Sequence, residues 1–136
     1  MRSVFLDSDI LLDLILERDP FYEWSLGVFL EIDKKQLSGN TSVHALLNIH
    51  YMAKKKFGEK DARAAIKMLT TKLSIIAEDS TIVQQAIDSD FADFEDAVQY
   101  YAAKSAGAEF IITRNIKDYQ QATIPVLTAE QFLKML

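Results

Sequence analysis

Five short runs, four of them mostly apolar, punctuate the chain, each too brief to be a helix, and longer segments of helical periodicity separate them. The runs are Arg2 to Leu6, Leu37 to Asn40, Ser74 to Ala77, Phe110 to Ile112 and Ile124 to Leu127. Alternation of this kind predicts an α/β fold, a parallel sheet covered on both faces by helices through right-handed crossovers. The helical segments read as Asp9 to Glu17, Phe21 to Lys35, Thr41-Ser42 onward to Gly58, and Lys60 to Leu73. Three more start at Asp79 or Ser80, at Asp93 and at Thr128. In the second, Trp24, Val28 and Ile32 recur every four residues on one face. Gly107 stops the helix that starts at Asp93, and Thr128 with Gln131 makes a capping box for the last. No linker or repeat divides the 136 residues, a length suited to one domain, 1–136.

With no cysteine, thiolate metal sites, disulfides and cysteine nucleophiles are excluded. Only His44 and His50 remain, six residues apart and off a common helical stripe, which suits structural or surface roles. Chemistry must therefore run on carboxylates, hydroxyls, amides and amines. The longest apolar run, Ile10 to Leu16, is broken by Asp13, so the reading is a soluble, cytoplasmic protein with no membrane contact. Net charge is −5. Against that trend, residues 51–72 carry Lys54, Lys55, Lys56, Lys60, Arg63, Lys67 and Lys72 but only two acids, Glu59 and Asp61. Such a segment is either a solvated helical pair or a face that steers a polyanion.

Ligands of a parallel sheet bind at the carboxyl ends of its strands, where strand order reverses. The first run ends in Asp7-Ser8-Asp9, and the fourth in Thr113-Arg114-Asn115 with Asp118 one turn on. Asp96 lies in the first turn of the helix before the fourth run. If the first and fourth strands are neighbours, Asp7, Asp96 and Asp118 converge on one cleft, with Asn48 and Asn115 on its wall. Gathered carboxylates repel unless a cation joins them, and an all-oxygen set suits Mg²⁺ or Mn²⁺. Singly, each acid also fits a turn or helix-cap role. Arg114 is the best candidate for a phosphate contact, since its fork matches phosphate oxygens. Tyr100-Tyr101 fits one inward and one outward ring.

Four segments carry a resemblance. Phe5-Leu6-Asp7-Ser8-Asp9-Ile10-Leu11-Leu12-Asp13 resembles an opening LDTNVLLD, and Asp93 to Ala102 resembles DFEDALQYYSA. Ile111 to Tyr119 resembles IITRN-x-x-DF, and Pro125 to Leu133 resembles PVLTPEEFL. These are segments of PIN domains, particularly their bacterial toxin-type (VapC-like) branch, and their order and spacing agree along the whole chain. The resemblance implies a three-layer α/β/α sandwich with a five-stranded parallel sheet, and a Mg²⁺- or Mn²⁺-dependent ribonuclease. It also implies RNA as substrate and a small antitoxin as partner, with a homodimer among the assemblies it admits. By position, Asp7, Asp96 and Asp118 take the catalytic and metal-binding places, with Asp9 as a further metal ligand. Ser8, Asn48, Thr113 and Asn115 become accessory groups. Arg114, Lys54, Lys55 and Lys56 are the expected RNA contacts.

The family's second acid falls at Asn48 and its last at Asn115, and an amide brings neither charge nor basicity. Those two residues favour an alternative, a PIN fold that binds RNA or protein without catalysis. A third reading, a phosphatase with Asp7 as nucleophile and Asp9 as acid/base, fits the hydrophobic run before Asp-x-Asp. It lacks a later Lys or Gly-Asp-x-x-x-Asp element and has Leu11 where Thr or Val belongs.

Overall fold

Val4, Phe5 and Leu6 alternate across the pleat with apolar side chains on both faces, as a strand covered from both sides must. In the computed structural model, which describes residues 1–136, they form the innermost part of the molecule, none more than 1% exposed. Their strand, β1 (Arg2–Leu6), is central to a five-stranded sheet with β2 (Leu37–Ser42), β3 (Ser74–Ile76), β4 (Phe110–Ile112) and β5 (Val126–Leu127). The order is β3-β2-β1-β4-β5 and every pairing is parallel. Val4 stands level with Gly39 on one side and Phe110 on the other.

One layer holds α1 (Ser8–Ile15), α2 (Tyr22–Asp33), α3 (Val43–Phe57), α4 (Glu59–Lys72) and α7 (Ala129–Met135). Val4, Leu6 and Ile112 point into it and meet Ile10, Val28, Ile49, Leu69 and Phe132. The other layer holds α5 (Ser80–Ile87) and α6 (Phe94–Ser105), where Phe5 and Ile111 meet Ile82, Ala97 and Tyr100. Three layers result, as the resemblance implied. Tyr100 and Tyr101 both pack here, their rings edge to face with centroids 5.0 Å apart. No helix is long and apolar enough to cross a membrane.

Local chemistry fixes the joints. A Cβ on Gly39 would lie 2.5 Å from Ile32 Cδ1 and 2.8 Å from Leu73 Cδ2, so β2 meets α2 only because that position is bare. Gly107 closes α6 at φ 71°, a left-handed conformation that favours glycine. The Thr128–Gln131 capping box forms as read, with both bonds present. β2 runs two residues beyond the expected Asn40, because Thr41 and Ser42 pair with Ile75 and Ile76 of β3, and Thr41 Oγ1 also donates to the Leu6 carbonyl at 2.8 Å. Ser42 then caps α3 by accepting from the Ala45 N–H, and its hydroxyl donates to Gln99 Oε1 at 2.6 Å. β5 is shorter than the apolar run suggested, and a four-residue 3-10 turn, Ile116–Tyr119, precedes it.

Candidate active site

Strand order reverses at β1: the chain steps outward through β2 and β3, then returns to add β4 and β5 on the other side. The crevice at the carboxyl ends of β1 and β4 is therefore where a ligand is expected. Asp7 follows β1 directly, continues the ladder by donating its N–H to the Ile112 carbonyl at 3.0 Å, and caps α1. Thr113 follows β4 and is fully buried.

Asp7 is held from three directions. Oδ1 accepts the Ser8 N–H at 2.7 Å, while Oδ2 accepts the Thr113 hydroxyl at 2.9 Å and the Tyr119 hydroxyl at 3.0 Å. The Ser8 hydroxyl lies farther off, 3.5 Å from Oδ1. Burial pushes the Asp7 carboxyl above its ordinary range, and these donors offset part of that. The Tyr119 phenol is raised well above its usual value by burial and by the Asp7 charge, so it stays a neutral donor.

Asp9 lies on the first turn of α1 and turns toward the end of β4. Its Oδ2 accepts the Arg114 N–H at 3.0 Å and the Asn115 amide at 3.1 Å, and lies 3.3 Å from the Thr113 hydroxyl whose proton goes to Asp7. Its Oδ1 is buried without a partner. Burial, then the charge of Asp7, raises Asp9 to about 7, with the Arg114 N–H and charge pulling the other way. Across the crevice, Asp93 caps α6 by accepting the Asp96 N–H at 3.1 Å. Asp96 is likewise pushed up to about 7, by burial first and then by the charges of Asp93, Asp118 and Asp7. The charges of Asp7, after β1, and of Asp118, in the turn after β4, thus both reach Asp96 on α6.

The remaining sequence candidates are placed differently. Asn115 touches the acids through Asp9, but Asn48 does not hydrogen-bond to them. Its amide is 3.5 Å from His44 Nε2, which in turn lies 3.0 Å from Glu95. His50 pairs with Glu59 at 2.9 Å. The Arg114 guanidinium is spent on Asp13, with Nε 2.8 Å from Oδ2 and an η-nitrogen donating to Oδ1 at 3.1 Å, and it lies over the Phe21 ring. Lys56 donates to the Leu16 carbonyl at 3.2 Å, capping the far end of α1 from Asp7, a separation of about 12 Å along that helix. Lys54 lies 3.6 Å from Glu59, and Lys55 covers the Tyr51 ring. The lysines therefore stand a helix length away from the acids, because α3 runs alongside α1.

No three His, Asp or Glu side chains are gathered into a ready-made metal cage. The donor set nevertheless suits a hard divalent cation held by one or two carboxylates and its own waters, the habit of Mg²⁺. Like charges crowd Asp96, and Asp9 Oδ1 has no partner.

A family model described as PIN domain matches residues 3–117. Ribonuclease VapC1 of Aquifex aeolicus is 30% identical over 136 residues, covering 96% of this chain and 93% of the relative. The chain belongs to the PIN domain family. Solved PIN-fold structures superpose along its length. A toxin–antitoxin complex from Klebsiella pneumoniae matches with TM-score 0.71 and 24% identity, covering 93% of this chain and 98% of that one. VapBC2 of Rickettsia felis bound to a promoter DNA fragment matches with TM-score 0.68 and 16% identity, covering 92% and 96%. VapC20 of Mycobacterium tuberculosis, a sarcin-ricin loop cleaving toxin, matches with TM-score 0.63 and 19% identity, covering 80% and 87%.

Two residues of this PIN domain's site escaped the sequence reading. Tyr119 supplies an Asp7 donor. The signal was a hydroxylated ring where the resembling segment ends in Phe. Asp13, fully buried between Arg114 and Arg18, was visible as a lone acid inside an apolar run.

Proposed function

We propose that this PIN domain is a metal-dependent endoribonuclease and the toxin of a toxin–antitoxin pair, with Asp7, Asp96 and Asp118 as its working acids. The observation that carries the reading is that Asp96, on α6, feels the charges of both Asp7 and Asp118 at the reversal point of the sheet. The ribonuclease relative and the toxin–antitoxin complexes among the structural relatives support the substrate class and a small protein partner. Membership of the family also displaces the phosphatase alternative.

One or two of Asp7, Asp96 and Asp118 would ligate the ion directly, and the remaining acids, Asp9 among them, would act through its waters. When bound, Mg²⁺ or Mn²⁺ supplies a more acidic water and neutralises charge growing on a phosphate oxygen. The protein's own share is positional. Ser8, Thr113 and Tyr119 lock the Asp7 rotamer, Asp93 and the first turn of α6 fix Asp96, and Asn115 orients Asp9. With few charged ligands and no tight cage, binding is weak, and Mn²⁺ binds better than Mg²⁺ because it accepts irregular geometry more readily. Lys54 and Lys55 would meet the RNA backbone several nucleotides from the cut.

The test is cleavage of single-stranded RNA with Mn²⁺, beside calorimetric titration of the metal. Asp7→Asn is expected to lower cleavage at least a hundredfold while RNA binding persists, and Asp96→Asn to weaken Mn²⁺ binding. Asn48, which makes no hydrogen bond to the acids, favours the non-catalytic alternative. RNA binding without cleavage by the wild type would establish that alternative instead.

A further inference from the structure

Beside the carboxylates, between α1, α2, the turn after β4 and the start of α7, lies a cavity of about 250 Å³. Phe21, Trp24, Ser25, Asp13, Arg114 and Asn115 line it, with Glu130 at its α7 side. We propose that this cavity is a base-specificity pocket, taking one unstacked nucleobase of the RNA next to the scissile phosphate. The proposal rests on the ribonuclease reading above and goes further, assigning where a base is read.

Four observations point to a base. First, Ser25 is 2% exposed and its hydroxyl has no hydrogen-bond partner, although it lines the cavity. A buried hydroxyl left unmatched costs stability, so an orphan that faces a cavity implies a ligand atom to meet it. Second, flat surfaces surround the space: the Trp24 ring, and the Arg114 guanidinium 4.1 Å above the centre of the Phe21 ring. Single-stranded RNA is held by such planes, because every base has a π-face to stack.

Third, the charges of the lining are engaged within the protein. Asp13 contacts Arg114 twice and is shared with Arg18, and Glu130 pairs with Lys134 at 2.8 Å. Asp13 thus holds the Arg114 guanidinium over the Phe21 ring, a plane for a base rather than a free cation. Donors and acceptors do remain for the edge of a base. Fourth, the pocket joins the acids directly. Asn115 lines the cavity and donates to Asp9, and the Arg114 backbone N–H donates to the same carboxylate. A base seated there places its neighbouring phosphate beside the Asp7 crevice. The volume is below the roughly 300–1,000 Å³ of pockets for drug-sized ligands, which matches a single small ring system.

Trp24 is the chain's one tryptophan, so its fluorescence reports on this cavity without labelling. The experiment uses Asp7→Asn protein and a short oligoribonucleotide that wild type cleaves at one bond. Affinity is followed by anisotropy and pocket occupancy by Trp24 emission. Each nucleotide is replaced in turn by an abasic one. The expected result is saturable quenching of Trp24, with about a tenfold loss of affinity when one base flanking the cut is missing and little loss elsewhere.

Adding Ser25→Ala is expected to weaken the intact oligonucleotide several-fold but not the abasic one. Thermal stability should not fall, since the change removes an unmatched hydroxyl. If RNA binds and is cleaved by wild type, while Trp24 emission is unchanged and all abasic positions behave alike, the pocket proposal is overturned and the nuclease reading stands. If neither protein binds or cuts RNA, both fail. Quenching that survives removal of every base in turn also overturns the pocket.

Discussion

At the scale of single residues, Tyr119 separates positioning from chemistry. Its hydroxyl donates to Asp7 Oδ2, a charge-assisted bond between buried partners. Tyr119→Phe keeps the ring in its core site and deletes one Asp7 donor, so burial raises the Asp7 carboxyl further. The expected outcome is a loss of about 1–2 kcal/mol in stability by denaturant titration. Mn²⁺ affinity should fall about tenfold by calorimetry, as for other groups that orient a ligand. A merely structural tyrosine would lower stability and leave metal affinity alone.

Asp96 makes a second residue-scale prediction through pH. Its folded value of about 7 lies above the ordinary 3.8, so the folded protein holds that proton more tightly than the unfolded chain. The stability it contributes is present in full below about 4 and is lost as pH rises through 7. Asp9, also raised to about 7, acts in the same direction. Metal-free protein should therefore melt at a higher temperature at pH 5.5 than at pH 8. Asp96→Asn should raise Tm at pH 8 by a few degrees, on the order of 1 kcal/mol once solvent screening of this partly exposed group is allowed for. An unchanged Tm at pH 8 would show that the acids do not press on one another as the geometry implies.

At the scale of elements, most helices were legible because their caps are written in side-chain chemistry. Asp93, Thr128 and Asp79 cap as the sequence suggests, and Gly107 ends α6. Gly107→Ala isolates that last signal. A Cβ there meets nothing within 4 Å, so the whole effect is backbone strain at φ 71°. It should cost about 1–2 kcal/mol, read as a Tm drop of a few degrees with the metal titration unchanged. What the sequence hid were elements with no period to show. The 3-10 turn Ile116–Tyr119 spans four residues, too few for a helical repeat, yet it carries both Asp118 and Tyr119. Strand ends were equally obscure: Thr41 and Ser42 belong to β2 through pairing with Ile75 and Ile76 and side-chain bonds to Leu6 and Gln99, all distant in sequence.

At the scale of the whole molecule, the site exists because β4 returns to lie beside β1, residues 110–112 against 4–6. Alternation of elements implied a parallel sheet, but nothing local states strand order, so the convergence of Asp7 with Asp96 and Asp118 was conditional until the pairing was seen. The same global geometry moved the basic segment. The lysines of α3's last turn look close to Asn48 in sequence, yet α3 carries them to the far end of α1. On the proposed nuclease reading, an RNA strand leaving the acids along α1 would meet them farther on, and each phosphate contact would release counterions. Lys56 is poorly suited to a test because it also caps α1. Lys54→Ala with Lys55→Ala leaves that cap intact. The pair should reduce the slope of log affinity against log salt by about 1.4, at roughly 0.7 per contact on a single strand. Cleavage at saturating RNA should be unchanged, since the acids are a helix length away. A slope equal to that of the wild type would assign the lysines to α3 and α4 alone, with Glu59 as their partner.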